Sequence, residues 1–595
     1  MAKKKGRRDN EAQNRQTAKT KQQEEPTDVT VELIENPDSV RIVPLGGMRE
    51  IGKNMYAYQY RDEIVIVDCG IAFPEENMPG VDVIIPDFTW LTQRRAQIRG
   101  LFLTHGHEDH IGAVAWFLRE FPDVPVYGNP MTMKLVETKL SDRERGGSKK
   151  KAADFKLQVV HSGDTVETGS FKVEFIHVNH SIADASALMI ETPVGRIVHS
   201  GDFKVDYTPV HGGPIDLNRL AVLGEEGVLA LVSESTNVEV PGMTSSEQVV
   251  GETFSEIFGQ VKGRLFVATF SSNIYRIQQI ITAAEEHNRK VAMLGRSMLN
   301  AFDAANSLNY IKYKPETIVN MDQIKDLPPD EVLIITTGSQ GEPMSALTRI
   351  AFSEHRQVQL TEGDTVILSS SMIPGNEKSI YRVINELYKR GAEVYYETLA
   401  DIHVSGHAYR DELKLMLNLV KPKFFIPMHG EFRHLYKHAQ LAKEQHIPDE
   451  HIFLLNNGDI LTVTEDAAAV TGFTEAAGIL IDGSGIGDVD QLVLRDRLRL
   501  ADDGIVSVYV SIDKEKNTLY KTPDVQAKGF IYESEIEEVI DACQKKIAKF
   551  ADQRRKKDQP LAGLIRSGVL HNQLRDLLYQ RTKRRPMIMI SVLEV

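Results

Sequence analysis

Apolar and polar positions change rhythm several times along this chain, and each change marks a boundary. From about residue 40, short apolar runs stop at polar or charged residues. "EIVIVDCG" (63–70) predicts a buried strand ending at Asp68, and "SFKVEFIHVNH" (170–180) a strand ending near His180. "SALMIETPVGRIVHSGD" (186–202) predicts a hairpin, with Pro193 and Gly195 in the turn and Asp202 just past the second strand. "IGAVAWFLREF" sets Ala113, Phe117 and Phe121 on one side of a short helix. Near Gly242 the rhythm changes. Ser245 and Gln248 stand at capping-box spacing before the helix "EQVVGETFSEIFGQV". The continuous apolar runs "RLFVATF", "KVAMLG", "EVLIITTG", "DTVILSSS" and "AEVYYET" then alternate with helical segments, which predicts a parallel sheet covered on both faces. Near the C-terminus Ile536, Val539, Ile540, Cys543, Ile547 and Phe550 recur at helical spacing, and "MIMISVLEV" reads as a last strand.

At 595 residues the chain is too long for one core, so three or four units are expected. Apolar residues make up 42% and charged residues 26%, the balance of an ordinary globular protein. Two cysteines, Cys69 and Cys543, give no disulfide framework and no CxxC, which points to a reducing, cytoplasmic compartment. No apolar run is long enough to suggest a transmembrane helix, and the basic N-terminus lacks the apolar segment of a secretory signal. No membrane partner is expected. Residues 1–35 are polar and are expected to be a disordered basic tail, open to contact with nucleic acid or simply solvated. A net charge of −14 argues weakly against a polyanionic partner, since a local positive channel can coexist with an acidic exterior.

Only 18 histidines are present, yet three of them fall with an aspartate inside "LTHGHEDHIG". A tight loop between a strand and a helix lets His105 and His107 serve one metal while Asp109 and His110 serve a second. The loops "FSSN", "GRS", "TTGSQGE" and "SSSMIPGNE" lie at the carboxyl ends of the parallel strands, where ligands bind in such sheets. Their free backbone N–H groups suit phosphate, although helix capping needs the same residue types.

The motif H-x-H-x-D-H resembles that of the metallo-β-lactamase superfamily. The resemblance implies an α/β fold: an αββα sandwich with an inserted parallel-sheet domain and a small α/β C-terminal domain. It implies His180 as the third histidine of the first metal, Asp202 as the bridging carboxylate and His429 as the final histidine of the second. Two Zn2+ ions per subunit are expected, with Mn2+ or Mg2+ as substitutes. A metal-bridging hydroxide would attack the electrophile. More than 220 residues separate Asp202 from His429, and the parallel α/β unit fills that gap. Such an insertion resembles the β-CASP group of nucleic-acid nucleases. Its acidic motif matches Glu234 in "LVSESTN", and its histidine motif matches His407 in "HVSGHA". The DNA-acting branch usually has Val where His429 stands, so RNA is favoured.

"PLGGMREIGKNM", "TTGSQGEPMSAL", "SSSMIPGNE", "HVSGHA" and "MHGEFRHL" are similar to segments of the bacterial ribonuclease J family. That resemblance covers residue 38 onward and implies 5′-to-3′ exonuclease action on 5′-monophosphate RNA, plus endonuclease action, in RNA maturation and decay. It implies a homodimer or homotetramer acting on single-stranded RNA, with other RNA-decay proteins as further partners. Glu234 and His407 are the expected catalytic pair. His403, Val404, Ser405, Gly406 and His407 are expected to form a phosphate pocket. Ser369, Ser370, Ser371, Gly375 and Asn376 are expected to grip a neighbouring nucleotide. Helix capping by Ser369–Ser371 and a structural His403 remain open readings. The expected domains are 36–243 and 399–475 for the split metallo-β-lactamase unit, 244–398 for the insert, 476–500 for a linker and 501–595 for a C-terminal oligomerisation domain. Whether Asp482 or nearby acids hold a structural cation such as Ca2+ stays open. Rival readings are a small-molecule hydrolase of the glyoxalase or lactonase type, a β-CASP DNA nuclease and a non-catalytic subunit of an RNA-decay complex.

Overall fold

The computed structural model describes Leu33 and residues 36–75, 77–145, 152–342, 344–373, 376–483, 485–487, 489–555 and 560–595. The expected tail (1–35) lies outside these apart from Leu33, and so does Gly375. The chain divides into two compact units. One holds residues up to Ala72 and Ile85–Gly478; the other holds Phe73–Ile84 and Ile479–Val595.

The first unit contains an eight-stranded and a six-stranded sheet. Alternation along single strands shows why they stack. In Ser186–Thr192, Leu188 and Ile190 pack with Val40, Ile42, Tyr58 and Phe175 between the sheets. Ala187 and Met189 point the other way, against Leu220 and Leu223 of helix Leu217–Glu226 and Leu413 and Met416 of helix Arg410–Val420. Successive strand residues face opposite sides, so the apolar run Ala187–Ile190 is buried on both. Each fully buried Leu or Ile stabilises by roughly 1.5–3 kcal/mol. The predicted hairpin forms, Ser186–Thr192 pairing antiparallel with Gly195–His199.

The insert is a five-stranded sheet with every neighbouring pair parallel, ordered Lys290–Leu294, Val332–Thr336, Leu265–Thr269, Thr365–Ser369, Glu393–Tyr395. Helices Gln248–Gln260, Ile274–Glu286 and Arg296–Ser307 cover one face, and helix Glu377–Lys389 packs on the other. Strand order reverses at Leu265–Thr269, so a crevice is expected at its carboxyl end. The expected capping box does not form. The helix begins at Gln248, and its N-cap, Glu247, makes no side-chain cap. Glu247 instead bonds Arg276, so a buried ion pair wins over the local cap.

In the second unit Ile505–Asp513 pairs antiparallel with Asp524–Lys528 and parallel with Met587–Glu594. Val539, Cys543, Ile547 and Phe550 of helix Glu533–Arg555 close its core, as their spacing predicts. Part of the segment expected as a linker is ordered: Ile479–Asp482 pairs with Gly485–Ile486, and helix Gln491–Asp503 follows. Asp82 N–H donates to the Ile481 carbonyl at 2.8 Å, tying residues 73–84 into this unit. Asp482 faces the Arg497 guanidinium and, among the described residues, belongs to none of the donor groups that could hold a metal. Among the described residues no helix is long and apolar enough to cross a membrane.

Candidate metal centre

The polar residues that end the buried strands of the first unit converge. His105 and His107 follow strand Ile98–Phe102, and helix Glu108–Ile111 carries Asp109 and His110. His180 follows strand Phe171–His177, and Asp202 follows Gly195–His199. Glu234 ends strand Val228–Glu234, and His429 follows Pro422–Met428 in left-handed backbone (φ 50°). The strands Gly195–His199, Val228–Glu234 and Pro422–Met428 run parallel side by side, which delivers their last residues to one edge.

Three groups of donors lie with their ligand atoms within 4.8 Å of one another. The first is His105, His107 and His180. His107 Nδ1 is 3.1 Å from His105 Nε2 and 3.0 Å from His180 Nε2. Tetrahedral zinc with bonds of about 2.0–2.1 Å would set such nitrogens about 3.3 Å apart, so a small relaxation admits the ion. The second group is Asp109, His110, Asp202 and His429. His110 Nε2 lies 3.2 Å from Asp202 Oδ2, and His429 Nε2 lies 3.2 Å from Asp109 Oδ2. Asp202 Oδ2 is also 3.7 Å from His105 Nε2 and 3.8 Å from His180 Nε2, placing this carboxylate between the two groups.

Partners behind the rings orient them, as metal-binding histidines require. His180 Nδ1 donates to the Gly406 carbonyl at 2.6 Å, and His105 Nδ1 meets Thr104 Oγ1 at 3.0 Å, so each leaves Nε2 to the centre. His110 Nδ1 lies 2.7 Å from Asp68 Oδ2, which in turn accepts from Thr104 Oγ1 at 2.8 Å. Asp68 was legible only as a strand end; nothing local marks it as the support of His110, 42 residues away.

Electrostatics fit a cation. Burial drives His105, His107 and His180 down, His107 to about 4, so all three rings are neutral at pH 7, the form a metal needs. Burial opposes a charge on His429 too, yet Asp202 and Asp109 outweigh it and push the imidazole up to about 10. Buried carboxylates that pull protons onto neighbouring rings are short of positive charge, which a divalent ion supplies.

The third group, Asp202, Glu234, His407 and His429, overlaps the second. Glu234 is fully buried; its Oε1 accepts from Phe203 N–H at 2.8 Å and its Oε2 meets His407 Nδ1 at 2.8 Å. Burial works against charge on His407, but Glu234 outweighs it and raises the ring above its ordinary range.

The loop residues are placed as follows. Ser405 Oγ accepts from Asn237 Nδ2 at 2.8 Å and from His407 N–H at 3.1 Å, and the Gly406 carbonyl holds His180. His403 is driven down to about 3 by burial and by Arg276 and Lys204, and Val404 packs in the insert's core. Ser369 Oγ accepts from Arg276 at 2.5 Å and donates to the Ile402 carbonyl at 2.6 Å, so its proton is committed inside the protein. Gln340 Nε2 donates to Ser370 Oγ at 3.2 Å and to the Ser371 carbonyl at 2.7 Å, and Asn376 Nδ2 reaches Gln340 Oε1 at 3.5 Å. Gln340, from "TTGSQGE", therefore organises the serine loop, a role the sequence reading missed.

Residues 48–227 match the metallo-beta-lactamase superfamily, 262–387 the ribonuclease J beta-CASP domain, 391–454 the Zn-dependent metallo-hydrolase RNA specificity domain and 492–595 the ribonuclease J C-terminal domain. The chain is 42% identical to ribonuclease J 1 of Streptococcus pyogenes, over 94% of this chain and 98% of that protein. It is 41% identical to ribonuclease J of Thermus thermophilus, over 94% and 96%. It is 38% identical to ribonuclease J2 of Bacillus subtilis, over 94% and 99%. Metal-donor clusters, the inserted parallel sheet and these likenesses over nearly the whole chain lead to one conclusion: the chain belongs to the ribonuclease J family of metal-dependent ribonucleases.

Proposed function

We propose that this ribonuclease holds two zinc ions and removes nucleotides from the 5′ end of single-stranded RNA carrying a 5′-monophosphate, and that it also cuts internally. The observation that carries the reading is Asp202, which belongs to the group of Asp109, His110 and His429 and also lies 3.7 Å from His105 Nε2 and 3.8 Å from His180 Nε2, with the Glu234–His407 pair alongside. His105, His107 and His180 would hold one ion, Asp109, His110 and His429 the other, and Asp202 would bridge. Bound there, the ions lower the pKa of water toward neutrality and offset charge on the phosphoryl oxygens. Mn2+ or Mg2+ would substitute.

His407 has the role of proton donor. Its Nδ1 is held by Glu234, so Nε2 carries the proton outward. Glu234 is enclosed and already accepts from Phe203, which leaves it to hold the imidazolium. A water that has released one proton to solvent bonds through its oxygen to phosphorus, the bond from phosphorus to the upstream 3′-oxygen breaks, and that oxygen takes the proton from His407, which solvent then restores. The shortened RNA keeps the new 5′-phosphate and is itself a substrate. Ser405, Gly406 and the loop residues Ser369, Ser370, Ser371 and Asn376 would seat that phosphate one nucleotide away, making degradation stepwise by positioning.

Apart from residues 73–84, which belong to the second unit, we assign residues 36–243 and 399–475 to the metallo-β-lactamase unit, 244–398 to the insert and 501–595 to an oligomerisation domain, in a cytoplasmic homodimer or homotetramer active in RNA maturation and decay. Purified protein with zinc or manganese and an RNA labelled at its 5′-monophosphate tests this. The expected result is release of the labelled mononucleotide with minor internal products. Internal products alone would remove the exonuclease assignment, and no cleavage by metal-loaded protein would remove the reading altogether.

A further inference from the structure

Beside the centre lies an exposed feature that no step above uses. Helix Phe432–Glu444 starts three residues after His429. Its first residue, Phe432, is 49% exposed, and Tyr436, one turn on, is 45% exposed. Their rings lie 6.2 Å apart and tilted by 33°. The Arg49 guanidinium sits over the Phe432 ring, 4.8 Å from its centroid. Arg49 comes from "GGMREIG", whose Met48–Arg49 pairs with Gly430–Glu431. The same loop joins the metal centre, since His429 N–H donates to the Gly47 carbonyl at 2.8 Å.

Two observations distinguish this cluster from ordinary surface aromatics. Arg49 is anchored: Nε donates to the Leu455 carbonyl at 3.3 Å and Nη2 to the Leu454 carbonyl at 3.4 Å. Those acceptors are neutral, and among the described residues Arg49 has no carboxylate partner, whereas the nearby Arg433 is paired with Glu239 and Glu431. A fixed guanidinium stacked on a ring, its charge unmatched, is suited to a flat π-system on a polyanionic strand.

The geometry points to Arg49, Phe432 and Tyr436 as a stacking subsite for a nucleobase of the RNA substrate, continuous with the metal centre through the Gly47–His429 contact. The inference rests on the ribonuclease reading and adds a residue-level binding site to it. Stacking tolerates any base, so the subsite contributes affinity without sequence preference.

The test couples protein and RNA changes. A series of oligoribonucleotides, each with one abasic position, is assayed with the wild-type full chain and with Phe432→Ala and Phe432→Trp. In wild type, one abasic position should raise KM about tenfold, the usual worth of one stacked base. In Phe432→Ala the intact oligoribonucleotide should show that rise, and the same abasic position should then cost nothing further. Phe432→Trp should restore the wild-type KM and show fluorescence quenching on RNA binding. Equal KM for wild type and Phe432→Ala, or full retention of the abasic effect in Phe432→Ala, would overturn the subsite while leaving the ribonuclease reading intact. Absence of RNA cleavage by wild type would instead strike that reading.

Discussion

Asp68 shows what a single side chain behind a proposed metal ligand does. It is fully enclosed, sits in left-handed backbone (φ 59°), and holds both His110 and Thr104. Asp68→Ala removes the acceptor that fixes the His110 ring and leaves every proposed ligand in place. The expected outcome is a 10- to 100-fold loss of affinity at the ion held by His110, read by metal titration, with activity recovering in excess metal. A second residue carries a pH signal. His438 is buried, its Nδ1 bonded to Ser235 Oγ at 3.0 Å, and burial drives it down to about 3. Unfolded histidine titrates near 6.5. Between these values the unfolded chain binds the extra proton, so stability is full above about 6.5 and falls as pH drops. From pH 7 to 5 this one ring should cost about 2 kcal/mol. In urea melts at both pH values, His438→Asn should show that much less acid sensitivity than wild type; equal sensitivity would refute the assignment. The ligand loop was legible because its histidines crowd into six residues. Asp68 and His438 were not, because their meaning lies in partners far along the chain.

Between elements, Arg276 ties together three segments that the sequence reading kept separate. It is wholly buried on helix Ile274–Glu286. It donates to Glu247 at the start of one insert helix, to Ser369 after a sheet strand, and to the Ile402 carbonyl before the His403–His407 loop. Lys204, equally buried, lies 3.8 Å from Glu247 and 3.5 Å from Asp206, and its N–H bonds the Asn179 carbonyl next to His180. Two cations and two carboxylates thus link the metal loops to the proposed phosphate loops. Arg276→Met would leave Glu247 buried opposite Lys204 alone. A loss of about 3 kcal/mol or more is expected in denaturant melts. Glu247→Gln combined with Arg276→Met should lose less than the sum of the singles, since the stranded charge goes with its partner. Strand and helix alternation was readable from apolar periodicity, but this network was not. Ser369 looks like a capping residue from its neighbours alone and Glu247 carries no local signal, so only the tertiary contact with Arg276 shows what they do.

At the scale of the molecule, the two units have separate cores, and every proposed metal ligand belongs to the first. The second unit takes in Ile479–Val595, which includes most of the expected linker, and also residues 73–84. These join it through pairs some 400 residues apart, such as Gly483 N–H to Asp82 Oδ2 at 2.7 Å, which periodicity cannot register. Separate cores make metal removal diagnostic. An ion that binds only the folded first unit stabilises it by RT ln(1 + [L]/Kd), about 2.7 kcal/mol at a hundred times Kd. The second unit is closed by Val508, Cys543, Ile547 and Leu574 and contains none of the proposed ligands. Calorimetry of the full chain should therefore resolve a transition that falls by several degrees after chelation and another that does not move. Restoring zinc should return the first transition to its place. If chelation moved neither transition, the donor groups would not be tied to folding by a bound ion; if it moved both equally, the units would not unfold independently.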